Sequence, residues 1–468
     1  MEQVEIAVVG GGASGLMAAL TAAEEQKKQR RPVSVWVLEG AQKPGRKLLA
    51  TGNGRCNLTN TQMSLSRYHG ETEEARAVLK AWPPQAVIHR FRTLGLVCRE
   101  EEEGRVYPNS GQAAAVLELF LRHLEGLGVQ VRCGWHLRQI QKKGAGFVLF
   151  PEEGEPLTAS RVILAAGGQA APKLGADGSG VAMARALGHS CTPCRPALSP
   201  VRCQKKQCRA LQGMRCRGKV SLLADGRRVG EETGEIQFTE YGLSGICVFQ
   251  LSRLAAEWEE TGRLAGRRVS SLVFSLDLTP DMTEQELEAL LRQRQRLLPH
   301  IPAEEALDGL LNLRVGQQII REALGEGAGQ PLGRITAEAC AAVARLAKQY
   351  EFPVAGVMGW ERAQVTAGGV PLSETDPATL ESRRCPGLYL CGELLDVDGD
   401  CGGYNLHWAW ASGITAGKGA TRRDNDSGKQ SQKKKPGAPA KGRRSSHAAH
   451  RWTFPALGLY PGGFAPKD

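Results

Sequence analysis

The apolar positions cluster first at Val4–Val9, a run interrupted only by Glu5. Leu16–Lys28 then carries Leu, Ala and Met at helical spacing before turning polar, and Val33–Leu38 is a second apolar run. Gly10–Gly15 lies between the first run and the helical segment. The pattern predicts a strand, a glycine turn, a helix and a second buried strand within roughly forty residues. Lys43–Asn60 is rich in Gly and Asn and reads as a loop, whereas Glu71–Leu96 and Gly111–Gly128 read as helices. Val129–Cys133, Gln139–Lys142 and Phe147–Phe150 read as a small strand meander. Arg161–Ala166 reads as a further buried strand, and Asp177–Leu187 as a helix ended by Gly188.

The pattern changes near Cys191, where Pro193, Pro196 and Pro200 punctuate short alternating runs. Thr283–Leu298, Ala303–Leu313 and Thr336–Gln349 return to helical spacing, and an α/β pattern resumes near Val354 and runs to Thr421. The expected fold class is therefore α/β: a Rossmann-type domain split by an insert. Its first part spans 1–190 and its second 354–421. The insert spans 191–353, β-rich over about 191–278 and helical over about 279–353. Residues 422–468 form a basic low-complexity tail, in which Trp452–Phe464 is an apolar patch without an assigned role.

Charge sharpens this division. The chain carries a net +11, but Arg422–Arg451 holds ten Lys/Arg against Asp424 and Asp426, so that stretch alone contributes +8. A second basic stretch, Arg195–Arg228, has ten Lys/Arg against Asp225. Such segments favour polyanions, and a solvated extension without a partner is the competing reading of the tail. No apolar run approaches the ~20 residues of a membrane span. The acidic start followed by a short apolar strand does not match a secretory leader, and thirteen scattered cysteines suit reduced thiols, so the expected location is the cytoplasm.

The first chemistry-bearing motif is Gly10-Gly-Gly-Ala-Ser-Gly15 at the end of the first strand. Gly10, Gly12 and Gly15 permit a tight turn and let the backbone touch a pyrophosphate. Ala13 and Ser14 stand in the same turn, and the helix that follows points its positive end at that charge. Glu39 closes the second strand, where a carboxylate accepts hydrogen bonds from an adenosine ribose. The strand Arg161–Ala166 ends in Ala-Gly-Gly168, which brings Ala166 and Gly167 close to a ligand. Gly387-Leu-Tyr-Leu-Cys-Gly-Glu393 ends another strand at Gly392 and places Glu393 against a ribityl chain. Asp396–Asn405 is then followed by helical Leu406–Gly417, and a helix starting at Gly402–Asn405, with Gly403, Tyr404 and Asn405, would stabilise negative charge on a reduced flavin ring. Together these elements indicate FAD as the bound cofactor. With no second G-x-G-x-x-G, NAD(P)H is expected to act only as a transient reductant.

The loop Gly45–Asn60 offers Arg46, Lys47, Thr51, Gly54, Arg55, Cys56 and Asn57 for the pyrophosphate, the flavin or an anionic substrate, with a plain basic loop as the alternative. Taken with Gly234–Gly245, Ala363–Gly369 and Asp396–Asn405, it resembles the BaiN/YhiN family of bacterial flavoproteins, from about Val4 to Gly419. The family is often labelled NAD(P)/FAD-dependent oxidoreductase or aminoacetone oxidase. The resemblance implies an FAD domain interrupted by a β-barrel-like and a helical subdomain, with cofactor contacts extending to Leu137 and Asp400. It also implies reduction of an electron-poor C=C bond by flavin, with the neighbouring carbon taking a proton. Cys401, Cys56 and Tyr404 are the candidate donors.

The favoured substrate is uridine in large-subunit ribosomal RNA, bound through the basic insert and tail. A small-molecule reductase acting on conjugated 3-oxo steroids or bile acids, an amine oxidase, and a non-catalytic RNA- or ribosome-binding factor are the alternatives. The resemblance stops before Arg422. Cys191, Cys194, Cys203, Cys208 and Cys216 are too irregularly spaced to be assigned to a metal.

Overall fold

A computed structural model describes residues 1–204 and 207–422, and these last form one compact unit with the rest of the body from Met1 to Arg422. The tail from Arg423 onward, with its expected polyanion contacts, lies outside the described residues.

The main sheet has seven strands. Strand β1 (Glu2–Val9) is followed by helix α1 (Ala13–Lys28) and strand β2 (Val35–Glu39), the unit read from the apolar pattern. Strand β3 (Gln130–Cys133) pairs in parallel with β2, β2 with β1, and β1 with β6 (Leu157–Leu164). Strand β4 (Leu137–Lys143) forms a hairpin with β5 (Gly146–Pro151), which pairs antiparallel with the first half of β6, whose second half pairs in parallel with Leu388–Leu390. The expected three-strand meander is thus corrected. Its first member, Val129–Cys133, leaves the hairpin and extends the parallel edge, because register with Trp36–Glu39 is a long-range choice that local pattern does not encode. The buried Ile6, Ala7 and Val8 pack with Val162, Ile163 and Leu164, the continuous apolar runs of a sheet covered on both faces.

Glu71–Leu96 is two helices, Thr72–Ala81 and Pro84–Thr93, since Pro83-Pro84 cannot continue a helix. In the insert, Val201–Cys203, Arg215–Ala224, Arg227–Thr239, Gly242–Ser244, Leu272–Asp277 and Tyr350–Val357 close into a barrel. Alternate residues of these strands fill it, among them Val220, Leu222, Ile236, Phe238, Phe274, Leu276 and Phe352, all fully buried. The chain near Val354 therefore belongs to the barrel and rejoins the main sheet only at Leu388. Ala303–Leu313 contains just one helical turn, Ala303–Glu305, and the helix follows at Leu313–Leu324, capped by Asn312. Helix α2 (Ile246–Thr261) lies in the segment expected to be β-rich; its buried Val248, Leu251 and Ala255 join the barrel core.

The charge of the insert also changes the picture. Arg195, Arg202, Arg215, Lys219 and Arg228 pair with Glu260, Glu259, Glu235 and Glu231, so much of the insert's positive charge is neutralised by acids that follow it in sequence. Cys191 and Cys194 pack on the core of the main sheet, while Cys208 is buried in the barrel core. Among the described residues no group of three His, Cys, Asp or Glu side chains is placed to hold a metal ion. Likewise, no described helix is long and apolar enough to cross a membrane.

Candidate active site

The glycine turn after β1 is shaped by close approach. Gly10 has φ +104°, and a Cβ there would lie 2.4 Å from the Ala165 carbonyl oxygen. A Cβ on Gly15 would lie 1.9 Å from the Gly10 carbonyl oxygen, so only glycine lets α1 start against the turn. Gly12 differs: no atom lies within 4 Å of its Cβ position, which faces a cavity. Gly12 is also the N-cap of α1 and supplies no side-chain cap, so the first amides of the helix have no side-chain acceptor. A pyrophosphate is the group such a turn accommodates. Glu39 lines the same cavity with its carboxylate fixed: Oε2 accepts from the Gly11 amide at 2.7 Å and Oε1 from the Ala41 amide at 2.8 Å. Each oxygen keeps acceptor capacity for a ribose hydroxyl.

The cavity has a volume of 620 Å³ and runs from Glu39, Trp135, His136 and Leu137 across the glycine turn to Lys47, Thr51, Val365, Glu393 and Asn405. Arg46, Ala166 and Gly167 also line it. Glu393 is held at the far end, its Oε1 accepting from the Thr366 amide at 2.8 Å and its Oε2 from Lys47 Nζ at 2.7 Å. Lys47 is therefore committed to a carboxylate in this arrangement, and Arg46 donates to the Lys173 carbonyl. Helix α3 (Tyr404–Gly419) starts beside this end, again without a side-chain cap at its N-cap residue Gly403. A Cβ on Gly403 would lie 2.7 Å from Asn57 Oδ1, a buried acceptor that has no protein partner. An uncapped helix start beside an unsatisfied buried acceptor fits the pyrimidine edge of a flavin, which carries both an N–H and negative charge when reduced. The lining from Glu39 to Glu393 and Asn405 thus fits FAD, while Asn57, Gly403, Tyr404, Cys56 and Cys401 stand behind the cavity wall.

Not every residue selected from the sequence reaches the cavity wall. Gly15 and Gly392 act behind it: a Cβ on Gly392 would meet Ser14 Oγ at 2.3 Å. Gly54 and Arg55 lie outside it; the Arg55 guanidinium bonds Glu101 and stacks 4.1 Å above the Tyr107 ring. Asp400 is likewise occupied, bonding His69 Nε2 at 2.9 Å and Arg67 at 3.2 Å. Asn405 lines the cavity and also ties the loop before α3, accepting from the Gly399 amide and donating to its carbonyl.

The three donor candidates separate clearly. Cys56 is fully buried in the main core, and burial pushes its thiol up to about 12. Tyr404 is buried edge-on against Tyr68, with its hydroxyl raised above its ordinary value by burial. Cys401 is partly exposed and packs with Ala197, Leu198, Val365, Ala367 and Phe249, sharing Val365 with the cavity wall. Burial pushes its thiol up to about 12 as well. Its amide donates to Gln250 Oε1 at 2.8 Å. Gln250 and His136 had no local signal in the sequence, since each reaches the site from a different element, whereas Gln364 and Val365 lie within Ala363–Gly369, one of the stretches that carry the family resemblance.

Residues 4–419 match the family model described as the HI0933-like protein Rossmann domain. The 3-dehydro-bile acid delta(4,6)-reductase of Clostridium scindens is 39% identical over 419 residues, covering 89% of this chain and 99% of that protein. The ribosomal RNA dihydrouridine synthase of Escherichia coli is 27% identical over 88% of this chain and 96% of its own length. That of Haemophilus influenzae is 26% identical over 87% and 96%. With the FAD-shaped cavity and a family match over nearly the whole body, this chain belongs to the HI0933-like Rossmann family of FAD-binding oxidoreductases.

Proposed function

We propose that this enzyme reduces a C=C bond conjugated to a carbonyl, with FAD as the bound cofactor and NAD(P)H as the transient reductant. In this reading the amides of Ala13 and Ser14 hold the pyrophosphate, Glu39 the adenosine ribose, and the start of α3 with Asn57 the flavin pyrimidine edge. When bound, the flavin supplies hydride chemistry to the β-carbon of the substrate. The observation that carries the reading is Cys401, a partly exposed residue on the apolar cluster that shares Val365 with the cavity. A thiol at about 12 keeps its proton at neutral pH. An enolate carbon is a stronger base than a thiolate, so Cys401 Sγ–H can protonate the α-carbon and recover its proton from water. Cys56 is sealed in the core and Tyr404 is packed against Tyr68, which favours Cys401 as the donor in this reading.

A small 3-oxo-4-ene is the substrate class with the most support, because the relative at 39% identity is named for reducing bonds of that kind. Uridine in large-subunit ribosomal RNA is the second reading. It offers the same chemistry, a C=C bond conjugated to a carbonyl. Two relatives are named for dihydrouridine formation, and the tail carries a net +8 that suits phosphate contacts. The ion pairing of the insert shifts the weight of RNA binding onto that tail. The test compares dihydrouridine in ribosomal RNA from a deletion strain with turnover of a 3-oxo-4-ene steroid by the purified enzyme. Unchanged dihydrouridine removes the RNA reading, and absence of steroid turnover removes the small-molecule one.

A further inference from the structure

We infer that helix α2 of the insert positions Cys401, with Gln250 and Arg253 as the positioning residues; this rests on Cys401 being the proton donor. One side of α2 faces the barrel, where Val248, Leu251 and Ala255 are buried. Its other side meets the segment leading to α3. Phe249 packs in the apolar cluster that contains Cys401. One residue later, Gln250 Oε1 accepts the Cys401 amide at 2.8 Å. One turn after Phe249, Arg253 grips Asp398 with two hydrogen bonds, Nη2 to Oδ1 at 2.8 Å and Nε to Oδ2 at 3.1 Å.

Asp398 is 3% exposed, so the carboxylate end of this fork is buried, and the two-pronged contact is geometrically specific. It lies on the short strand Val397–Gly399, which pairs with Tyr68–Gly70. Asn405 ties the other end of the segment to Gly399. Between these ties stand Gly402 at φ +118° and Gly403 at φ +104°, which bring turn geometry but no side chain to wedge the loop in place. Its neighbours are tied from elsewhere, Asp400 by His69 and Arg67 and the Gly402 carbonyl by Asn60 Nδ2 at 3.0 Å, while Cys401 itself is held from α2 through its amide. The insert supplies part of the catalytic geometry: a general acid displaced by about 1 Å loses on the order of 10²-fold in rate.

The experiment separates the two half-reactions by anaerobic stopped flow. Gln250→Leu keeps the size of the side chain and removes the acceptor. We expect reduction of the flavin by NADPH to stay within threefold of wild type, while reoxidation by a 3-oxo-4-ene steroid slows about 10²-fold. Gln250→Glu, which retains an acceptor oxygen, restores most of the second rate. Arg253→Lys keeps the charge but not the two-pronged geometry, and slows the same half-reaction. A second readout is independent of turnover: alkylation of Cys401 by iodoacetamide, followed by peptide mass spectrometry, speeds up in Gln250→Leu and Arg253→Lys, with the exposed Cys133 as internal standard. Equal slowing of both half-reactions, or Cys401 alkylation at the wild-type rate in both variants, overturns the inference. Cys401→Ala with an unchanged reoxidation rate overturns the donor assignment instead, and the alkylation rates still judge the hold of α2 by themselves.

Discussion

Adding one methyl group at two neighbouring glycines separates the cofactor site from the fold. Gly12 has φ −82°, a conformation any residue adopts, and open space for 4 Å around its Cβ position. Gly12→Ala therefore leaves the cofactor-free protein within about 0.5 kcal/mol of wild type. Its methyl instead projects into the cavity where the pyrophosphate is placed. Forcing a methyl into a packed contact costs about 1–3 kcal/mol, which weakens FAD binding about 5- to 150-fold. Gly15→Ala is the opposite case. Its methyl would stand 1.9 Å from the Gly10 carbonyl oxygen, so the start of α1 must move away from the turn. The cost, about 3 kcal/mol or more, falls on the cofactor-free fold itself. The assay is a titration of each apoprotein with FAD by quenching of flavin fluorescence, beside urea unfolding without FAD. Wild-type FAD affinity in Gly12→Ala refutes the placement of the pyrophosphate at this turn. Normal stability in Gly15→Ala refutes the packing argument.

Three more outcomes follow from the same geometry. His407 is fully buried with Nδ1 2.8 Å from Thr59 Oγ1, and burial pushes its imidazole down to about 4 from 6.5. The unfolded chain thus takes up a proton first as pH falls, so stability drops between pH 6.5 and about 4 by about 3 kcal/mol and then levels off; urea midpoints across a pH series show this, and His407→Gln flattens the drop. Cys401→Ala slows the step from reduced flavin to enone by about 10²-fold or more while FAD content stays at wild type, measured by stopped flow and absorbance. If RNA is the substrate, a chain ending at Arg422 loses a net +7 and binds it with a salt slope shallower by up to about 6, read from filter binding over a range of salt.

The parts legible in the sequence are those whose cause is local. Gly10–Gly15 and Glu39 sit within one strand-helix-strand unit, so spacing alone implied their juxtaposition, and Glu39 does bond the Gly11 amide. Residues that depend on distant partners were not legible. Arg55 looked like a phosphate ligand because Glu101 and Tyr107, which occupy it, lie some fifty residues on. The insert looked strongly cationic because Glu231, Glu235, Glu259 and Glu260 follow the basic stretch that they neutralise. Helix α2 was hidden because its apolar residues serve two neighbours: Val248 and Leu251 face the barrel, while Phe249 faces the Cys401 cluster. A helix buried on two sides lacks the single apolar stripe that marks an amphipathic one. Gln250, on that helix, could be found only once the fold had brought it to Cys401.

The most direct measurement of the central claim is an anaerobic double mix, in which NADPH first reduces the bound flavin and the enzyme then meets a 3-oxo-4-ene steroid or uridine-containing large-subunit ribosomal RNA. The account predicts that flavin absorbance returns with one of these, in step with loss of one C=C bond per flavin, as scored by product mass. A flavin that stays reduced with both, or that is reoxidised without a saturated product, contradicts it.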